Sequence, residues 1–163
     1  IRRGAAPLAK ILALGLSCDA YHPTSPHPDG RGLTSAMHSV LKQTKIGADE
    51  IDWVNIHGSG TKVSDAAEAL ALKNIFKHKV PLLSGSKGAI GHALGAASAL
   101  ELAICVKGIA EQTIPPTPGF STQDADIAMD CTTVPVQKKI RFALNNSSAF
   151  GGLNASLLIG SCM

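Results

Sequence analysis

Two histidines and a lysine stand in glycine-rich turns of an otherwise apolar sequence. In "WVNIHGSGTKVSDAAEALAL", His57 closes an apolar run and is followed by Gly58, Ser59, Gly60 and Thr61. Glycines at such a point let backbone approach a ligand closely, and the two hydroxyls can donate or accept hydrogen bonds. A histidine there either caps its strand or handles charge near neutral pH. In "SGSKGAIGHALGAASALE", Lys87 lies between Gly85 and Gly88, and His92 follows Gly91. The lysine is either a solvated loop charge or a cation aimed at developing negative charge. His92 reads as part of the first turn of a long helix, where the positive dipole end keeps an imidazole neutral and able to donate one hydrogen bond. Such a donor suits oxyanion or enolate stabilisation; decoration of a helix start is the alternative.

The elements that must position these residues alternate along the chain. Residues 8–16, "LAKILALGL", read as a strand buried on both faces, and "YHPTSPHPDGRG" as an irregular excursion. A helix over 32–45 carries Leu33, Met37, Val40 and Leu41 on one stripe, and "GADEIDWVNI" leads into a strand ending at His57. The next helix is expected to start at about Ser64 or Asp65, with Asp65 and Glu68 forming a capping box and Lys73, Lys77 and Lys79 in its last turn. "VPLLSGS" reads as a third strand, and "KGAIGHALGAASALELAICVKGIAEQ" as one long helix. Its small residues Gly91, Ala93 and Gly95 to Ala99 are expected to press on other backbone. "KIRFALNN" and "LNASLLIG" form a closing strand pair joined through "SSAFGG". The pattern predicts a layered α/β domain, with turns at 57–61, 85–92 and 145–152 lining one site at the strand ends.

Composition narrows the function classes. A chain of 163 residues with 45% hydrophobic content reads as one compact domain spanning 1–163. A net charge of +3 without a basic block is too small and scattered for a nucleic-acid surface. Cys18, Cys105, Cys131 and Cys162 show no C-x-x-C spacing and no tight cluster with histidine, so neither a metal site nor a redox dithiol is expected, and free thiols suit the cytoplasm. The opening "IRRGAAPLAKILALGLSCDA" has the outline of a secretory leader, but Pro7 and Lys10 interrupt it and no Met precedes it. Glu101 and Lys107 break the longest apolar stretch, so no membrane span is expected. "SGSKGAIGHALG" has neither phosphate-loop nor dinucleotide-binding glycine order, and no G-x-S-x-G occurs.

Taken in order, "NIHGSGTKVSDAAEA", "SGSKGAIGHALGAASALE", "IPPTPGF" and "NNSSAFGGLNASL" resemble the carboxyl-terminal half of β-ketoacyl-acyl-carrier-protein synthases, most like the synthase II type. These are the decarboxylating condensing enzymes of fatty-acid and polyketide synthesis. The resemblance runs from "SCDAYHPTSPHPDG" to "SLLIG" and implies an α/β fold, one half of the thiolase-like architecture, with a mixed sheet packed between helix layers. It implies that His57 and His92 hold the malonyl thioester oxygen as an enolate forms, with Lys87 orienting the site and Glu101 as its acidic partner. Ser59 and Thr61 fall where the family sets hydroxyls toward the pantetheine arm, and Phe150 where a ring gates the acyl pocket and a backbone N–H serves the oxyanion hole. The implied setting is a cytoplasmic homodimer with no cofactor of its own, acting on substrates carried by the phosphopantetheine arm of acyl carrier protein.

Three departures from that pattern matter. Ser59 replaces the usual threonine, which keeps the hydroxyl and loosens its rotamer. Ser148 replaces a common aromatic beside the gate, and Ser98 a usual glycine, so acyl selection is expected to differ. No cysteine here stands in the family's nucleophile context, which belongs to an amino-terminal half, so the 163-residue chain alone is expected not to condense and to self-associate through the face that half would cover. A non-catalytic chain-length-factor-like partner or degenerate homologue is the alternative. A thiolase is disfavoured, because Cys162 in "GSCM" lacks the C-x-G context of that enzyme's second cysteine.

Overall fold

The computed structural model describes residues 2–77 and 79–162. Strands β1 (Ala9–Cys18), β2 (Trp53–Asn55), β3 (Leu82–Ser84), β6 (Phe142–Ala149) and β7 (Leu153–Ser161) form one mixed sheet in the order β1-β7-β6-β2-β3. Strands β4 (Thr113–Ile114) and β5 (Val136–Gln137) form a small antiparallel ribbon. β3, β2 and β6 run parallel, while β6, β7 and β1 pair antiparallel. The helices are α1 (Arg31–Thr44), α2 (Lys62–Phe76), the short α3 (Lys87–Ile90) and α4 (Ala97–Glu111).

Alternation along the central strands divides the core. Val54, Leu144 and Leu158 face α1 and α2, where Met37, Val40, Leu72 and Phe76 meet them. Their neighbours Trp53, Ala143 and Ile159 face α4 and pack with Cys105 and Ile109. Trp53 is fully buried and donates its indole N–H to Ser84 Oγ at 2.9 Å. A Cβ on Gly108 would stand 2.8 Å from the Trp53 ring, so only glycine lets α4 lie this close to β2. The predicted α/β layering, with a mixed sheet between helices, is the architecture observed.

Several local expectations give way. β1 is not covered on both faces: Ile11, Leu14 and Leu16 are 64%, 48% and 68% exposed, because α4 lies over β6 and β7 and leaves the edge strand open. The long helix predicted from residue 87 is two helices separated by residues 91–96. α3 ends where Gly91 takes φ +73°, and Leu94 at φ +50° blocks helical continuation before α4. Of the small residues expected to press on backbone, Gly91 and Gly95 press on nothing, since a Cβ there would meet no atom within 4 Å, while Ala97 is buried; a close approach lies at Gly88, where a Cβ would collide with the Pro118 carbonyl. α2 starts at Lys62, with the Asp65 N–H bonded to the Thr61 carbonyl at 2.9 Å, so Asp65 and Glu68 form no capping box. α2 ends at Phe76, which places Lys73 in its last turn, Lys77 at its cap and Lys79 beyond it. β6 continues to Ala149, so the third turn is only 150–152.

The irregular excursion expected over 21–32 is observed over 19–30, because α1 already begins at Arg31, and it is pinned to that turn. The Asp19 carboxylate accepts from the His27 N–H at 3.0 Å and from Asn154 Nδ2 at 3.1 Å, and the Gly151 N–H donates to the Pro23 carbonyl at 2.7 Å. Among the described residues no helix is long and apolar enough to cross a membrane.

Candidate active site

The parallel strands β3, β2 and β6 finish at one edge of the sheet, and the chain leaves β2 through His57. Gly58 and Gly60 take φ +46° and +76°, which turns the chain sharply into α2. That turn is held by charge from both sides. The backbone N–H groups of His57 and Gly58 donate to the Glu68 carboxylate at 2.9 and 3.0 Å, and the His57 carbonyl accepts from Lys87 Nζ. The same ammonium is paired with Glu101 Oε1. Lys87 is 8% exposed and Glu101 fully buried, so neither is a solvated surface charge.

His57 is 6% exposed, and among the described residues its Nδ1 has no hydrogen-bond partner. Burial, with the neighbouring Lys87 and His92 charges adding to it, pushes its pKa down to about 3, so the imidazole is neutral throughout the physiological range. The His92 ring meets it edge-on, with centroids 5.6 Å apart at 78°. His92 is exposed in the break between α3 and α4, outside any helical turn, so the dipole argument for its neutrality does not apply. The Leu94 N–H donates to His92 Nδ1 at 3.1 Å, which leaves Nε2 as the ring nitrogen available to donate.

Beside the histidines opens a cleft of about 530 Å³, between the 58–62 turn and the 117–131 loop, with Lys87, His92, Ser59 and Cys131 among its walls. Ser59 lines it, and Thr61 Oγ1 stands 3.2 Å from Ser59 Oγ. Burial raises the Glu101 carboxyl above the ordinary carboxylate range, against the pull of Lys87. Burial likewise raises Glu68, opposed by the two backbone N–H donors. The neutral His57 imidazole and the His92 ring beside it, next to a buried, paired cation, can offer converging N–H donors to one anionic oxygen. Neither buried cysteine offers a thiolate: burial pushes the Cys105 thiol far up and that of Cys131 to about 11.

Of the residues singled out from the sequence, His57, His92, Lys87 and Glu101 converge, Ser59 lines the cleft, and Thr61 stands beside Ser59 without lining it. Phe150 does not join them here; it is 75% exposed in the 150–152 turn and lines no part of the cleft. Sequence reading missed Glu68 as the holder of His57. The available signal was its place on the buried stripe of α2 with Leu72 and Phe76, where a carboxylate needs partners. It also missed a polar ladder: Asn55 Nδ2 donates to Asn145 Oδ1 at 2.9 Å, and Asn145 Nδ2 to the Ser98 carbonyl at 3.2 Å.

Comparison with known proteins places this geometry. Nodulation protein E of Rhizobium meliloti is 41% identical over 158 residues, covering 95% of this chain and 39% of that protein. The 3-oxoacyl-[acyl-carrier-protein] synthase 2 of Coxiella burnetii is 38% identical over 163 residues, covering 97% of this chain and 39% of that one. A solved structure described as the ishigamide ketosynthase/chain length factor superposes with a TM-score of 0.94 at 37% identity, covering 99% of this chain and 40% of its own. The chain thus spans about two-fifths of the length of these relatives. Residues 8–121 match the family described as "Beta-ketoacyl synthase, C-terminal domain", and the chain belongs to that family as its carboxyl-terminal, thiolase-like half.

Proposed function

We propose that this chain supplies the enolate-stabilising part of a 3-oxoacyl-[acyl-carrier-protein] synthase, an acyltransferase that joins acyl and malonyl thioesters by decarboxylative Claisen condensation. The observation that carries this reading is the neutral, buried His57 meeting His92 above the Lys87–Glu101 pair. In the reaction the bond from the malonyl α-carbon to its carboxylate breaks, CO2 leaves, and the electron pair becomes an enolate on the thioester. The enolate carbon then attacks the acyl thioester carbonyl, a carbon–carbon bond forms, and the acyl group's thiolate is expelled.

His57 and His92 donate to the thioester oxygen as it gains charge. A neutral donor such as His57 serves better than imidazolium here, because it stabilises the oxyanion without handing it a proton. Lys87, clamped to the His57 carbonyl and to Glu101, fixes the histidine backbone and adds positive charge below it. Ser59 and Thr61 meet the pantetheine arm of an acyl carrier protein, and Phe150 gates the acyl group once the rest of the protein closes over its exposed ring. The acyl-carrying thiolate comes from outside this chain, consistent with the raised pKa of Cys131 and Cys105 and with a span of about two-fifths of the relatives. The 163-residue chain alone is inactive in this reading, and the working protein is a homodimer.

The test is CO2 release from malonyl-acyl carrier protein by the complete protein and by its His57→Ala and His92→Ala forms. Each substitution should lower the rate about a hundredfold or more, the usual effect of removing one oxyanion donor. Rates unchanged in both would favour the second reading, a chain-length-factor-like partner, which the name of one structural relative keeps in view. Retention of His57, His92 and Lys87 in bonding geometry argues against that reading, since a partner without catalysis has no chemical use for all three.

A further inference from the structure

We infer that the end of the molecule opposite the histidines is a docking surface for an anionic lipid bilayer, built from lysines that the sequence scatters and the fold gathers.

Placement comes from topology. β1 and β6 both pair antiparallel with β7, so β1, β2, β3 and β6 all point the same way. They end at the edge where His57 and the 19–30 excursion lie, and they start at the far edge. The helices return toward that far edge: α1 closes with Lys42 and Lys45, and α2 with Lys73 and Lys77, with Lys79 just beyond it. α4 ends there too, since Gly108 lies against Trp53 at the start of β2, and Gln112 Nε2 donates to the Ile140 carbonyl just before β6. Lys10 stands at the start of β1, and Lys138, Lys139 and Arg141 lead into β6. Five strands about 4.8 Å apart spread these side chains over an end roughly 20 Å across.

Pairing separates the two ends. Each cation at the site end is neutralised: Arg31 by Asp29 at 2.8 Å, Lys62 by Asp126 at 3.5 Å, and Lys87 by Glu101. At the far end Glu50, Asp52 and Glu111 are taken up by Arg141, Lys138 and Lys107. Among the described residues, Lys42, Lys45, Lys73, Lys77, Lys79 and Lys139 are exposed and have no carboxylate within ion-pair distance. The helix dipole accounts for Lys42 and Lys73, which lie in last turns, but not for Lys79 or Lys139, which lie outside any helix. Burying unpaired ammonium groups under further protein is costly, so a longer chain leaves this end in water.

Chemistry chooses among anionic partners. Protein interfaces are depleted of lysine and built on aromatic and arginine anchors. Here the exposed aromatics Tyr21 and Phe150 lie at the site end, and Arg141 is engaged with Glu50 and Asp52. A lipid surface asks for no shaped recognition; it attracts lysines as point charges, each adding its share. Val80, 52% exposed just before β3, can rest against the headgroups. Contact at this end leaves the histidine cleft facing water.

The experiment is co-sedimentation of the complete protein with vesicles of phosphatidylcholine alone, or of equal parts phosphatidylcholine and phosphatidylglycerol, at low and high salt. The protein should partition onto the anionic vesicles only and be released by salt. Combining Lys73→Gln, Lys77→Gln and Lys79→Gln should weaken partition about a hundredfold, at roughly fivefold per lysine. The three arginine replacements at the same positions should preserve it, as should Arg31→Gln at the site end. Combining Lys42→Gln, Lys45→Gln and Lys139→Gln should reproduce the loss, which guards against a fold defect in the first variant. Absence of partition, equal partition onto neutral vesicles, or retention by both glutamine variants would each overturn the inference. So would binding of an acidic protein or duplex DNA through these lysines with the vesicles ignored.

Discussion

Replacing Lys87 by methionine tests whether the cation under His57 is structural as well as electrostatic. Among the described residues the ammonium is the one partner of Glu101 Oε1, while Oε2 has none, and Glu101 is fully buried. Methionine keeps most of the volume and removes the charge, leaving a buried carboxylate unpaired and the His57 carbonyl without its donor. Breaking a buried pair in this way costs about 3–5 kcal/mol, a large share of the roughly 5–15 kcal/mol that holds a domain folded. The cost depends on pH with a definite sign. The folded pKa of Glu101 is already raised by burial, and Lys87 is the first influence holding it down, so the substitution raises it further. A raised carboxyl binds a proton in the fold that the unfolded chain releases; its stability contribution is therefore present at low pH and lost as pH rises through the folded pKa. Lys87→Met should thus be most damaging at pH 8 and recover toward pH 5. Adding Glu101→Gln, which removes the charge at every pH, should restore much of the loss at pH 8 and flatten the dependence. Urea unfolding of the complete protein at both pH values, with hydrogen exchange across 97–111 as the local readout, measures this. A Lys87→Met form within about 1 kcal/mol of native at pH 8, or a double variant no better than the single one, would refute the reasoning.

Other expectations follow from the same geometry. Isotope-labelled histidine followed by NMR should show His57 still neutral at pH 5, given a pKa pushed down to about 3; a midpoint above 5 would contradict its burial. Gly88→Ala, whose Cβ would collide with the Pro118 carbonyl, should push the 117–131 loop off α3, lower stability by about 1–3 kcal/mol and raise KM more than it lowers kcat; unchanged kinetics would show that the loop does not shape the cleft. Under native conditions at pH 8, iodoacetamide should label exposed Cys18 well before Cys131, whose thiol is held at about 11, or fully buried Cys105; mass spectrometry showing the reverse order would overturn that assignment. The 163-residue chain by itself should associate, because Ile11, Leu14 and Leu16 form an open apolar strip; a clean monomer by sedimentation would count against this.

The strands and helices were legible because alternation and the helical stripe are written in residue order, as at Val54 against Trp53 and at Leu33, Met37 and Val40 on α1. His57 and His92 were legible as candidates because glycines surround them, but their meeting was not, since nothing in a linear pattern brings β2 to the break before α4. The Lys87–Glu101 pair is separated by 14 positions, a spacing that no single element imposes, and only the family resemblance joined them. Glu68 was misread for the opposite reason: a local rule, the capping box, explained it well enough to hide a long-range duty on the backbone of a residue 11 positions away. The helix break went unseen because glycine and alanine are small in either state, and only the left-handed φ of Gly91 and Leu94 separates them. β1 shows where sequence reading meets a physical limit. An apolar run looks the same whether its cover comes from its own fold or from another surface, because burial is a property of the assembly and not of the residue. The open side of β1 is therefore a feature whose sequence was read correctly as apolar and incorrectly as covered, and it is a strip where the rest of a longer protein, or a second copy of this chain, has apolar area to bury.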